Sequence, residues 1–235
     1  MAEYQLNTGK WSEAGSWGAP GKPSTLVSGD IVSILGAAEI DVDITIPFGV
    51  ILRVTSSIRP YTEATVTGTV TLAGDLVFVI GDFAESYLTV TTGTFIFAQG
   101  STWSLSAPEF AAGIMTVEAA GSLVVDSIIT VDSSASITNR GIILCTSNGV
   151  LILAATNSNI YLERGYFILD GVIYLTTGAA HPSIGPSVSI GDCKVILSRA
   201  DKILKSGYGG DLANYGNVID LSNAYGLPTN DMIGG

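Results

Sequence analysis

A serine or cysteine hydrolase needs a base beside its nucleophile. The chain holds one histidine, His181, set in Ala-Ala-His-Pro-Ser-Ile-Gly-Pro. Those prolines place it in a loop, no cysteine stands near it, and no G-x-S-x-G occurs. Cys145 and Cys193 lie in the apolar runs Ile-Ile-Leu-Cys and Cys-Lys-Val-Ile-Leu. Thiols in such runs are expected to be buried and unbridged, with a structural disulfide as the alternative. One histidine and two distant cysteines do not make a four-ligand zinc set. The glycine-rich signatures of phosphate and dinucleotide loops are absent as well.

Carboxylates are the remaining source of chemistry. In Glu39-Ile40-Asp41-Val42-Asp43-Ile44-Thr45-Ile46 acids alternate with apolar residues. As one strand, this segment puts Glu39, Asp41 and Asp43 on one face, with in-line neighbours about 7 Å apart. That row can in principle hold a hard cation such as Ca²⁺. It lacks the glycine-aspartate nonapeptide of calcium-binding β-rolls, so the expectation is a solvated face and no cofactor. The net charge is −11, and no Lys or Arg lies between Arg59 and Arg140. A phosphate backbone would be repelled there, so nucleic acid is not an expected partner.

The elements that must position these residues are short strands. From Ala64 to Gly178 runs of β-branched and apolar residues are cut at short intervals by glycine, as in GTVTLAG, GTFIFAQG and GIILCTSNG. Several glycines recur at 19 to 21 residues (Gly81, Gly100, Gly121, Gly141), and Gly165 and Gly185 are 20 apart. A strand-and-turn repeat of that length suits a stacked β-coil, which buries its apolar face only against the next coil. The reading is all-β, a β-solenoid or parallel β-helix, with seven or eight turns between residues 45 and 198. Three segments follow: an N-terminal cap at 1–36, coils at 37–198, and a capping helix with an extended tail at 199–235. Ser198 to Gly207 has helical spacing, with Ala200, Ile203 and Leu204 as its apolar stripe.

The N-terminal stretch carries Trp11 and Trp17 in W-x5-W-G-x-P, then Ser28-Gly29-Asp30-Ile31-Val32-Ser33-Ile34. This pattern resembles the opening of bacterial and phage β-solenoid surface and virion structural proteins. The resemblance covers about 25 residues and implies a first coil rather than an activity. Physically the first coil has no coil before it, and two tryptophans can plug its open end. Trp11, Trp17 and Trp103 are alternatively candidate sugar-stacking platforms.

Apolar residues make up 47% of the chain and charged residues only 13%, against a usual charged share of about 25%. Such a surface is more easily hidden in a homo-oligomer. The runs at 150–155 and 166–169 are apolar on both faces, so Leu151, Leu153, Tyr166 and Ile168 are the expected subunit contacts. Tyr208, Tyr215 and Tyr225 in the Gly- and Asn-rich tail are expected to dock on a neighbour. No run of 18 apolar residues and no signal-peptide pattern is present, so neither membrane insertion nor an ordinary secreted precursor is expected.

These features point to a non-enzymatic oligomeric rod in a virion, assembled in a host cytoplasm, as a capsid fibre, decoration or tail component beside other virion proteins. A bacterial cell surface is the alternative location. The alternative functions are a glycan-binding module and a polysaccharide-degrading β-helix. For the last, Asp75 with Asp82 and Asp126 with Asp132 would supply acids, and Arg140 or Arg164 the basic residue.

Overall fold

The computed structural model describes residues 1–56, 62–80, 85–106, 112–131, 135–153, 159–163 and 165–175, and the strands Ser183–Gly185, Lys194–Leu197 and Ile203–Lys205. It is an all-β parallel solenoid whose coils each lay down three strands. Ile51–Ser56, Thr62–Val66 and Thr69–Leu72 make one coil, and Asp75–Ile80, Glu85–Val90 and Thr94–Phe97 the next. Every strand-to-strand pairing is parallel. The first face joins a 5-stranded sheet to a 4-stranded one, the second is 8-stranded and the third is 7-stranded.

Strict alternation within each strand decides which side chains point inward. On the third sheet Ile46, Leu72, Phe97, Val125, Cys145 and Leu169 stand in register, one per coil. All six are fully buried. Each such side chain contributes on the order of 1.5–3 kcal/mol relative to exposure, an upper estimate because unfolded chains already hide part of that surface. Inside the middle coils Trp103 meets Phe78 edge-on at 5.6 Å and stacks against Phe97 at 6.3 Å.

The coil is longer and less regular than the 19- to 21-residue glycine spacing. Asp126 and Thr146, stacked neighbours, are 20 residues apart, whereas Ala2 and Asp30 are 28 apart. The 7-stranded third sheet from Ile44 to Leu197 therefore makes six steps, not the expected seven or eight turns.

The glycine rhythm also mixes two corners. Gly68, Gly93, Gly121, Gly141 and Gly165 occupy the turn from the second sheet to the third. Tyr166 N–H donates to the Gly141 carbonyl at 2.8 Å, and Ile142 N–H to that of Gly121 at 3.1 Å. A Cβ on Gly93, Gly141 or Gly165 would strike the carbonyl oxygen of the glycine one coil earlier. Gly100 belongs instead to the turn back to the first sheet, with φ +86°. Gly81 lies outside the described residues.

Two local expectations are corrected. Residues 39–46 are not one strand: Ala38–Ile40 and Ile44–Ile46 belong to different sheets, and 41–43 form the corner between them. The Val42 carbonyl, stacked on Gly68, marks that bend. Ile203–Lys205, given to a capping helix by its spacing, is a strand paired with Val172–Leu175. An apolar stripe this short does not sustain a helix alone, while the open edge of the preceding strand satisfies its backbone groups. The other residues of the proposed helix and the tail from 206 onward lie outside the described residues.

Candidate functional site

Among the described residues no strand stacks before the N-terminal coil, and specific side chains hold it closed. Glu3–Leu6 pairs with Ile31–Ile34, and Gly9–Lys10 with Ala38 and Glu39. Trp11 and Trp17 meet edge-on at 4.8 Å, and the Trp17 Nε1–H donates to the Trp11 carbonyl at 3.0 Å. They are 4% and 7% exposed, and Trp103 is 4% exposed. None of the three therefore offers a ring face to a sugar, which removes them as stacking platforms. All three join the apolar core.

Asp30 closes the same region, although it was not singled out in the sequence beyond the Ser-Gly-Asp turn. Its carboxylate accepts from the Ala2 N–H at 2.8 Å and the Val27 N–H at 3.1 Å. Those bonds, Ala2's foremost, hold its pKa below the ordinary value against the opposing effect of burial.

The acidic row is split among separate partners. Glu39 accepts from the Thr67 hydroxyl at 2.8 Å and lies 3.7 Å from Lys10. Asp41 accepts from the Ser12 N–H and hydroxyl, and Asp43 from the Thr69 N–H at 2.7 Å. Burial pushes the Asp41 pKa up, and the Ser12 bonds, with its own backbone N–H and the charge of Lys10, bring it below the ordinary value. With a corner between Glu39 and Asp43, the three do not form the single-face row that the Ca²⁺ reading used. Among the described residues no group of three or more His, Cys, Asp or Glu has a metal-binding arrangement.

The other acids and the arginine tie coil to coil. Asp75 accepts from the Thr102 hydroxyl at 2.7 Å. Asp126 accepts from the Thr146 hydroxyl and, at 3.2 Å, from the Asn148 amide. Arg140 sits between Glu118 and Glu163, 2.7 Å from each. The bond to Glu163, followed by the charge of Glu118, keeps its pKa above the ordinary arginine value despite burial. Cys145 is buried, its Sγ against Gly149 and Gly171. Asp82, Asp132, Arg164, His181 and Cys193 lie outside the described residues. A shallow groove of about 410 Å³ beside Lys10, Glu39 and Glu63 lies over the second sheet, and one of about 350 Å³ beside Gln99, Asp126 and Asn148 runs along a corner.

The outward side of the third sheet is different in kind. In one column Ile96, Val124, Leu144 and Ile168 stand in register; in the next, Ile142 and Tyr166 follow Thr94 and Ser122. Ile142 is 40% and Tyr166 42% exposed. Tyr166 and Ile168, two expected contacts, lie on this face, whereas Leu151 is fully buried and unavailable to a partner. The Leu153 side chain and Tyr208, Tyr215 and Tyr225 lie outside the described residues. Ile96, Val124, Ile142 and Leu144 were missed. Their signal was the first and third position of the strand after each corner glycine, which reveals a continuous face only once the register is known.

No helix among the described residues is long and apolar enough to cross a membrane. No protein-family model, no curated protein and no solved structure matches the chain.

Proposed function

We propose that the chain is a non-enzymatic structural or adhesive rod that self-associates, built into a virion as a fibre, decoration or tail component. The observation that carries this is the division of labour among the outward side chains. Polar and charged groups bond between successive coils, while the upper part of one sheet face is left apolar and part-exposed. Acids engaged in ladder bonds are suited to holding coils in register, and an apolar face of this kind marks a surface that a partner covers. The virion assignment rests further on the resemblance of the Trp11 to Ile34 segment to the opening of such rods. A glycan-binding reading would have to use residues other than the three buried tryptophans.

Light scattering over a concentration series tests the self-associating rod, with a mass expected to rise above the 24.3 kDa of one chain. A monomer persisting at concentrations on the order of 100 μM, where even small interfaces associate, would overturn it. Density-gradient fractionation of producing cells tests the location. The chain should band with assembled particles, and its recovery only in particle-free fractions would reject a virion role.

A further inference from the structure

We infer that the outward face of the third sheet is a homotypic contact, where a second copy of this chain docks face to face about a two-fold axis. This rests on the self-association proposed above and names the surface that carries it. From Thr45 to Ile168 none of the residues that alternate outward on this sheet is charged, and Lys194 follows Tyr166 in the last strand; the lower part is threonine and serine, and the upper part is Ile96, Val124, Leu144, Ile168, Ile142 and Tyr166. Elsewhere charged residues are exposed or half-buried: Glu3, Arg53 and Asp75 on the first sheet, Lys10, Glu39 and Glu63 on the second, and Glu118, Asp126 and Asp170 at corners.

Two chains of net charge −11 repel wherever acids face acids. Among the described residues the third sheet offers the longest run of uncharged outward strands on which copies can meet without that cost, longer than the run of Ile128, Thr130, Val150 and Ile152 on the first face. Its uniform chemistry supplies the second argument for a copy rather than an unlike partner. A two-fold contact must be self-complementary. In-register columns of Ile, Val and Leu, with no charge pattern to match, meet that condition against themselves.

Six strands at about 4.8 Å by four residues at about 3.3 Å give a face of roughly 29 by 13 Å, or about 400 Å² per copy. The pair would thus bury on the order of 800 Å², which belongs to weak, concentration-dependent association. Because the contact is uncharged while the chains repel, association should strengthen as salt is raised from low ionic strength, the reverse of an ionic interface.

Sedimentation velocity on full-length Ile142→Glu, Ile142→Lys and their mixture tests the arrangement. Each variant alone should weaken self-association by about 30-fold or more, because the two-fold axis brings like charges together. The mixture should recover a heterodimer. Thermal midpoints and circular dichroism establish that the variants fold, and Tyr166→Glu with Tyr166→Lys replaces them if they do not. If both single variants associate like the wild type, the face is wrong although the self-associating rod stands. If both are monomeric and the mixture is too, the two-fold arrangement is wrong. A wild type that stays monomeric at every concentration and salt would overturn this inference and the proposed function together.

Discussion

The first coil and the middle coils solve the same stacking problem by different means. From residue 85 to 175 each coil has a neighbour on both sides, and repetition does the work: inward columns such as Phe97, Val125, Cys145 and Leu169, and a corner ladder of Gly93, Gly121, Gly141 and Gly165. The first coil, residues 3–34, has a neighbour on one side only. There side-chain-specific bonds, which the middle also has at Asp126 and Arg140, carry more of the closure: Asp30 to Ala2 and Val27, Asp41 to Ser12, and the Trp11–Trp17 pair. A solenoid interior is specified by composition at corner and inward positions, but its end is specified by individual residues. Stability should therefore be concentrated in few side chains at the end and spread thinly over many in the middle.

The largest expected effect breaks the end. Trp17→Ala removes a buried indole, its edge-on contact with Trp11 and a hydrogen bond to the Trp11 carbonyl. Loss of a fully packed large aromatic costs about 3–5 kcal/mol. Amide hydrogen exchange should show the loss first in Glu3–Leu6 and Ile31–Ile34 and last in the coils near Ile143. Uniform loss of protection along the rod would show that end and middle unfold as one unit, so that the division drawn above has no energetic meaning.

The middle should break at a corner. A Cβ on Gly141 would strike the carbonyls of Glu118 and Gly121, which are backbone and cannot swing away. Gly141→Ala is expected to cost about 1–3 kcal/mol as overpacking, a fall in Tm of roughly 2–12 °C for a domain of this size. Gly15, in the N-terminal turn, has nothing within 4 Å of the same position. Gly15→Ala should leave Tm within about 2 °C, because surface changes away from such contacts are small. Equal effects at the two glycines would mean that the corner ladder does not set the coil spacing.

The same contrast explains what could be read from the amino acids alone. Strand alternation, corner glycines and the paired tryptophans are local patterns, so the solenoid and its plugged start were visible. Register is not local. Coils that vary from 20 to 30 residues place Gly141 on Gly121 but leave Gly100 at a different corner. The face made by Ile96, Val124 and Leu144 exists only after those steps are fixed, so it could not be assembled from spacing. The bend at 41–43 was hidden because Asp-Val-Asp continues the alternation through a corner. Ile203 to Lys205 misled in the opposite way, its short helical stripe yielding to the strand edge beside it.

The smallest effect sharpens the comparison through pH. Asp30 is a carboxylate whose native pKa is depressed by N–H donors from Ala2 and Val27. A depressed native pKa means that the unfolded state binds the proton more tightly. The stabilisation is then fully present above the ordinary aspartate range and is lost as pH falls through the lower native value. Asp41, depressed by Ser12, acts in the same direction and in the same region. In the middle, the Arg140 pKa is raised, so its charge is kept throughout this window. Acidification should therefore loosen the first coil before the coils around Arg140. Followed by Trp fluorescence, which reports mainly on Trp11 and Trp17, the wild type should show a small acid transition preceding the loss of the strand circular-dichroism signal. Asp30→Asn keeps the shape but accepts through one oxygen only, and should shrink the early transition below the ordinary aspartate range while lowering stability modestly at neutral pH. An early transition unchanged by Asp30→Asn would show that the first coil is held by its tryptophans alone.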